Sequence, residues 1–108
     1  MQIGPISQLT PAANTDTTLY TGRANRKVLG TISAVNTGVS PVTIRMAIIE
    51  SERAVVTQDW QWYDFSLVAD GKPRDWSGIL VGPNEVIKVR ASANTVNFQF
   101  SGVESYAN

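Results

Sequence analysis

Short segments in which apolar and polar residues alternate recur along the chain at spacings near ten residues, and this pattern most constrains the fold. The clearest is VTIRMAIIE, in which Val42, Ile44, Met46 and Ile48 fall on one face of an extended strand. Similar runs occupy 17–21, 27–36, 60–67, 76–80, 85–92 and 95–103. Turn-forming Gly, Pro and Asn separate them, and almost no stretch has a helical period. We therefore predict an all-β fold.

The number of these segments predicts a single antiparallel β-sandwich or jelly-roll-like domain of about seven to eight short strands over residues 16–108. With 108 residues the chain can bury one hydrophobic core but not two. The segment before it, residues 1–15, carries Ile3, Ile6 and Leu9 among small polar residues and is too apolar for a plain linker. We expect an extended N-terminal arm that becomes ordered on a neighbouring molecule, with simple fraying as the alternative.

The charge distribution argues against two classes of partner. Nine basic and nine acidic residues balance, and the largest basic group is only Arg23, Arg26 and Lys27. We therefore expect neither nucleic acid nor a membrane surface as a partner. The first residues lack the basic and apolar regions of a signal peptide, and no apolar run is long enough to span a bilayer. We expect a soluble chain that is not exported by a classical signal.

The residue types also restrict catalysis. The chain has no histidine and no cysteine, which excludes Ser-His-Asp triads, Cys-His pairs, disulfides and the usual zinc sites. Asp59 and Asp64 flank an aromatic run and could in principle form a carboxylate pair, but their odd separation places them on opposite faces of a regular strand. We therefore expect no enzymatic activity, no cofactor and no metal.

The aromatic run itself, DWQWYD at 59–64, has three possible interpretations. On a regular strand Trp60 and Trp62 share one face, while Tyr63 and Phe65 share the other, so both faces carry large apolar surface. In the first, one face enters the core and the other is covered by a loop or by the edge of the second sheet. In the second and third, the extra face anchors a contact between protomers or forms a platform on which a carbohydrate stacks.

Five sequence elements follow one another in an order that is more specific than any one of them. They are TTLYT (17–21), a strand and turn ending in Asn-Thr-Gly (32–38), VTIRMA (42–47), a turn and strand ending in Ala-Ser (83–92), and VNFQFSGVE (96–104). This order resembles a family of small virion proteins of tailed bacteriophages, from residue 12 onward. Residues 51–79, which include DWQWYD, depart from the family pattern.

The resemblance implies a non-enzymatic structural role in the virion, after assembly in the host cytoplasm. The expected protein is a multi-copy accessory, decoration or cement component on the tail, neck, baseplate or capsid surface. Its expected partners are itself, as a symmetric homo-oligomer, and other virion proteins. An alternative is a carbohydrate- or receptor-binding module at the tail tip, with exposed tryptophans. The candidate interface residues are Ile3, Ile6, Leu9, Trp60, Trp62 and Tyr63.

Overall fold

Eight β-strands, and no α-helix, make up the regular structure of the described residues. The computed structural model describes residues 3–50, 55 and 59–106, without the side chains of 3–6, 63 and 106. The strands are β1 (Ile3–Leu9), β2 (Thr17–Thr21), β3 (Arg26–Asn36), β4 (Val42–Glu50), β5 (Trp60–Leu67), β6 (Arg74–Val81), β7 (Glu85–Ala91) and β8 (Val96–Tyr106). The predicted all-β class is confirmed, and each predicted segment corresponds to one strand.

The strands pair in a nested antiparallel pattern, first with last. β1 pairs with β8, β2 with β7, β3 with β6 and β4 with β5. Two further pairings, β3 with β8 and β4 with β7, join these pairs into two sheets. Sheet A has the order β1-β8-β3-β6, and sheet B has the order β2-β7-β4-β5. This is the double-sheet arrangement of a jelly roll, so the predicted sandwich is also confirmed.

The N-terminal segment that was expected to form an arm contributes a strand to sheet A. β1 lies at the edge of the sheet, where Ile3 is the register partner of Val103 and Leu9 is the partner of Phe98. Leu9 is half-buried and packs against the main core. The described part of this segment therefore pairs with the last strand of its own chain.

The main core fills the space between the two sheets. Its residues come from the inward faces of the strands, because alternate side chains of a strand point to the same face. Phe98 and Phe100 of β8 are its largest fully buried side chains. The other buried members are Leu19, Val28, Ile32, Ala34, Val42, Ile44, Met46, Leu67, Val81, Ile87, Val89, Ala91 and Val96. The face predicted for Val42, Ile44 and Met46 of β4 is therefore correct, and Ile48 packs against the same core.

Two polar side chains are buried with this core, and both have hydrogen-bond partners. Glu104 is 3% exposed and lies 3.2 Å from Nη1 of Arg23 and 3.9 Å from Nε of Arg26. The Tyr20 hydroxyl donates to its carboxylate at 3.4 Å. Two residues of the small basic group noted in the sequence therefore neutralise a buried acid. Asn36 is the second buried polar residue.

Every edge strand carries an extra residue relative to its partner. The extra residues are Ile6 in β1, Leu19 in β2, one in β6 beside Gly78, and two in β5 at Gln61 and next to Asp64. The central pairings, β3 with β8 and β4 with β7, run without a break. A β-bulge of this kind turns a strand locally and interrupts the alternation of its side chains.

Candidate functional site

Three of the six predicted interface residues have side chains outside the described residues. They are Ile3 and Ile6, whose backbones belong to β1, and Tyr63, whose backbone belongs to β5. The fourth residue, Leu9, packs against the main core. The contacts of Trp60 and Trp62 therefore carry most of what the structure says about the predicted site.

The two tryptophans face opposite sides of sheet B, so the prediction of a shared face is wrong. Trp62 is the register partner of Met46, and Trp60 is the partner of Ala47, the next residue of β4. Neighbouring residues of a strand point to opposite faces, and their partners do the same. The extra residue Gln61 forms the bulge that breaks the alternation. A single platform containing both rings cannot form on this strand.

Trp62 closes one open side of the sandwich. Its ring centroid lies 4.1 Å from that of Trp76 on β6, at an interplanar angle of 33°. Phe65 meets the same Trp76 ring edge-on, with centroids 5.3 Å apart. Because β5 and β6 are edge strands of the two sheets on the same side, these rings fill the gap between the sheets. The core interpretation therefore holds for Trp62.

Trp60 belongs to a second hydrophobic cluster, on the outer face of sheet B. Ala47, Ile49 and Val86 are buried there, and Trp60 and Val55 pack over them. One end of sheet B is thus covered by apolar side chains on both faces. Trp60 thus helps to cover this small cluster.

The acid pair considered for catalysis has a different arrangement from the predicted one. Asp64 has a positive φ of 54° at the second bulge of β5, and its carboxylate accepts hydrogen bonds from Arg45 Nε at 2.8 Å and Nη2 at 3.3 Å. These hydrogen bonds hold the pKa of Asp64 below its usual value, so the side chain is a bound anion and a poor proton donor. Asp59 lies just before β5. The prediction that Asp59 and Asp64 lie on opposite faces assumed a regular strand, and the bulges of β5 remove that assumption.

The outer face of sheet A carries an exposed group of apolar side chains that we call the apolar row: Leu29, Leu80 and Val103. Leu29 on β3 is the register partner of Leu80 on β6 and of Val103 on β8. Side chains at such positions are neighbours on one face of a sheet. Their exposed fractions are 58%, 57% and 42%. Ile3 occupies the next register position, on β1.

The sequence contained a sign of the apolar row. Alternation places Leu29 on the outward face of β3 with the polar residues Thr31 and Ser33. Val35 is a second apolar residue on this face. The register that brings Leu29 beside Leu80 and Val103 depends on pairing between distant strands. Single-strand patterns do not contain this information, which is why these residues were not predicted as an interface.

Possible metal sites, membrane-spanning helices and similarity to known proteins give no further information about the function of this surface. Within residues 3–50, 55 and 59–106, no group of three or more acidic side chains is placed to hold a metal ion. The same residues include no helix that is long and apolar enough to cross a membrane. Comparisons of the chain with models of protein families, with curated proteins and with solved structures give no match.

Proposed function

We propose that this chain is a non-enzymatic structural protein of a tailed-bacteriophage particle, present in many copies on the tail, neck, baseplate or capsid surface. It stabilises the particle through contacts with its own copies and with other virion proteins. The observation that carries the proposal is the apolar row on the outer face of sheet A. Contiguous exposed apolar side chains on a small domain are typical of surfaces that bind another protein.

The strand order supports the same class of function by analogy. The elements that resemble small virion proteins of tailed bacteriophages lie on β2, β3, β4, β7 and β8. Jelly rolls occur in viral capsid proteins and also in lectins, so the fold is compatible with both candidate roles and does not distinguish them. The resemblance to virion proteins favours the first.

The edges of the sheets favour contacts through faces. A neighbouring chain that extends a sheet needs a regular row of free backbone groups on the edge strand. All four edge strands, β1, β2, β5 and β6, carry bulges instead. The outer face of sheet A is crossed by the two longest strands, β3 and β8, with 11 residues each. We therefore place the contact between copies on this face, at the end that carries the apolar row.

The charge of the chain also fits a second copy as the partner. Nine basic and nine acidic residues cancel, so two copies do not repel each other through net charge.

Replacement of the apolar row tests the self-association. We expect the wild type to form oligomers and the double variant Leu29→Ser/Leu80→Ser to have the mass of one chain, 11.7 kDa, in size-exclusion chromatography with light scattering. Val39→Ser is the matched control, because Val39 is 99% exposed in the loop after β3. It should leave the oligomer unchanged. A wild type that is monomeric at every concentration, or a double variant that keeps the oligomer, would contradict the assignment of this face.

The location in the particle needs a separate measurement. Mass spectrometry of purified particles of the virus that encodes this chain should detect it in many copies, and imaging of the intact particle should locate it on an outer surface. Its absence from purified particles would overturn the virion assignment, whatever the oligomeric state.

The alternative of a carbohydrate- or receptor-binding module at a tail tip loses its original basis. That interpretation placed Trp60 and Trp62 together on an exposed face. The structure puts them on opposite sides of sheet B, one against the core side of Met46 and one over Ala47. A ligand site would have to use other side chains.

A further inference from the structure

A polar groove lies on the outer face of sheet A, away from the apolar row. Its volume is about 460 Å³, within the range of about 300–1,000 Å³ that is usual for small-ligand sites. The central strands β3 and β8 form its floor. Thr10, just beyond β1, and Pro73, just before β6, stand at its two sides. The other residues that line it are Gln8, Leu9, Ser33, Ala34, Val35, Asn97, Phe98 and Gln99.

A row of polar side chains crosses the sheet at this groove. Gln8 of β1 is the register partner of Gln99 of β8, which is in turn the partner of Ser33 of β3. Ser33 is the partner of Asp75 on β6, and its hydroxyl donates to the Asp75 carboxylate at 2.7 Å. Neighbouring strands are about 4.8 Å apart, so these groups can contact one ligand at the same time.

The amide groups of the groove have unused hydrogen-bonding capacity. Within the described part of the chain, the side chains of Gln8 and Gln99 make no hydrogen bond, and both lie at the solvent boundary of the groove. Asn97 accepts a hydrogen bond from the Thr10 hydroxyl through its side-chain oxygen. Each amide offers both donors and acceptors in one plane. The groove is therefore lined by groups that pair equally well with donors and acceptors of a ligand.

The lining residues also indicate the chemical class of the ligand. None of the ten residues that line the groove is charged. The carboxylate of Asp75, beside the groove, already accepts a hydrogen bond from Ser33, so the lining itself offers an ionic ligand no charged partner in exchange for its hydration. Val35 and Pro73 add apolar surface beside the amides. A ligand with hydroxyl groups, which both donate and accept, and with C–H faces satisfies both kinds of surface.

We propose that this groove binds a neutral oligosaccharide, with the amides of Gln8, Asn97 and Gln99 holding its hydroxyl groups. This site is separate from the tryptophans and from the apolar row. Ser33 is four residues from Leu29 along β3, which is about 13 Å.

A titration followed by NMR tests the site on the full chain. The probes are the neutral trisaccharides maltotriose, cellotriose, chitotriose, mannotriose and galactotriose. At least one should give saturable shifts of the backbone amide signals of Gln8, Asn97 and Gln99. Gln99→Ala should weaken that binding about tenfold, as expected for one lost hydrogen bond to a ligand.

Gln61→Ala is the matched control, because Gln61 is an exposed glutamine on β5 of the other sheet. It should bind the trisaccharide as the wild type does. If no trisaccharide gives saturable shifts, if the shifts lie elsewhere, or if Gln99→Ala binds unchanged, the proposal is overturned. Light scattering on Gln99→Ala should give the wild-type mass, so the result is independent of self-association through the apolar row.

Discussion

Gly30 and Gly102 show how the absence of a side chain permits two strands to pair. They are register partners on β3 and β8. A Cβ atom on Gly102 would lie 2.4 Å from the carbonyl oxygen of Leu29, and one on Gly30 would lie 2.1 Å from that of Ser101. These oxygens belong to the backbone of central strands and have little room to move in a close-packed interior. Close approach of the backbones is therefore what requires glycine here.

Replacement of Gly102 by alanine should destabilise the fold strongly. We expect Gly102→Ala to lower the free energy of unfolding by about 3 kcal/mol, the upper part of the usual range for overpacking. Urea denaturation followed by tryptophan fluorescence would measure it. At Gly82 the nearest atom to an added Cβ is the end of the flexible Glu85 side chain, 3.0 Å away. Gly82→Ala should therefore cost less than about 1 kcal/mol, and equal costs for the two variants would refute the explanation.

Tyr20 is the residue whose ionisation is most directly linked to the fold. Burial of its ring, and then the nearby carboxylate of Glu104, raise its pKa above the ordinary value of 10.0. The folded state therefore holds the phenol proton more tightly than the unfolded state. The stability gained from this difference is fully present below pH 10.0 and is lost as the pH rises through the higher pKa of the folded state.

Tyr20→Phe should make stability less sensitive to alkaline pH. The variant loses the hydroxyl that donates to Glu104, so it should be less stable than the wild type at neutral pH by about 1 kcal/mol. Above pH 10.0 the difference should shrink, because phenylalanine has no proton to lose. Unfolding free energies from urea denaturation at several pH values would show this convergence. Parallel pH profiles for the two proteins would rule out the linkage.

Among the elements, Asn36 joins three segments at one end of the sandwich. Its amide nitrogen donates to the carbonyl oxygens of Ser40, at 2.8 Å, and Leu67, at 3.2 Å. Its side-chain oxygen accepts from the Gly38 amide at 2.9 Å and the Thr95 hydroxyl at 3.0 Å. One buried side chain thus fixes the β3–β4 loop against the end of β5 and against the β7–β8 loop.

The change Asn36→Asp keeps the shape of the side chain but replaces the amide nitrogen, a hydrogen-bond donor, by a carboxylate oxygen, which only accepts. The carboxylate can still accept from Gly38 and Thr95 but faces the two carbonyl oxygens with no donor. We expect a loss of about 3 kcal/mol in unfolding free energy, since a buried polar group without a partner costs about 1–3 kcal/mol and a charged one more. Asn94→Asp, at an exposed position of the β7–β8 loop, should change stability by less than about 0.5 kcal/mol. Thermal denaturation of both variants gives the comparison.

The elements also show which parts of the structure a sequence can predict. Alternation located all seven predicted strands and assigned Val42, Ile44 and Met46 of β4 to the correct face. It succeeded there because the extra residues of the β4–β5 pairing lie in β5 and leave β4 regular. It failed in β5, where Trp60 and Trp62 were assigned to one face. The bulges there depend on pairing with β4 and on a positive φ at Asp64, a non-glycine residue. Local patterns carry no information about either.

The candidate surface was less predictable than the fold for a related reason. The aromatic residues attracted attention as large apolar side chains, yet the structure uses Trp60 and Trp62 to cover hydrophobic clusters. Leu29, by contrast, is ordinary in sequence and gains its significance from neighbours 51 and 74 positions away, at Leu80 and Val103. A surface of this kind is a property of the sheet, and it becomes visible only when the register is known.

At the scale of the whole molecule, the two outer faces differ in character. Sheet B is covered at one end by the Trp60 cluster, and the Arg45–Asp64 ion pair lies on β4 and β5. Sheet A presents the apolar row at one end and the polar groove at the other. The proposed contact between copies and the proposed glycan site therefore both lie on sheet A. The cluster and the ion pair described on sheet B contribute to the stability of the domain.

The bulges in the edge strands should reduce fibre formation by chains that are not yet assembled. Growth of a fibre requires a seed whose edge presents a regular template to the next strand. β1, β2, β5 and β6 each interrupt that template, so newly made chains can accumulate without nucleating a polymer. If the chain is a virion component, the number of its binding sites on the particle, and not the elongation of a fibre, then determines its copy number.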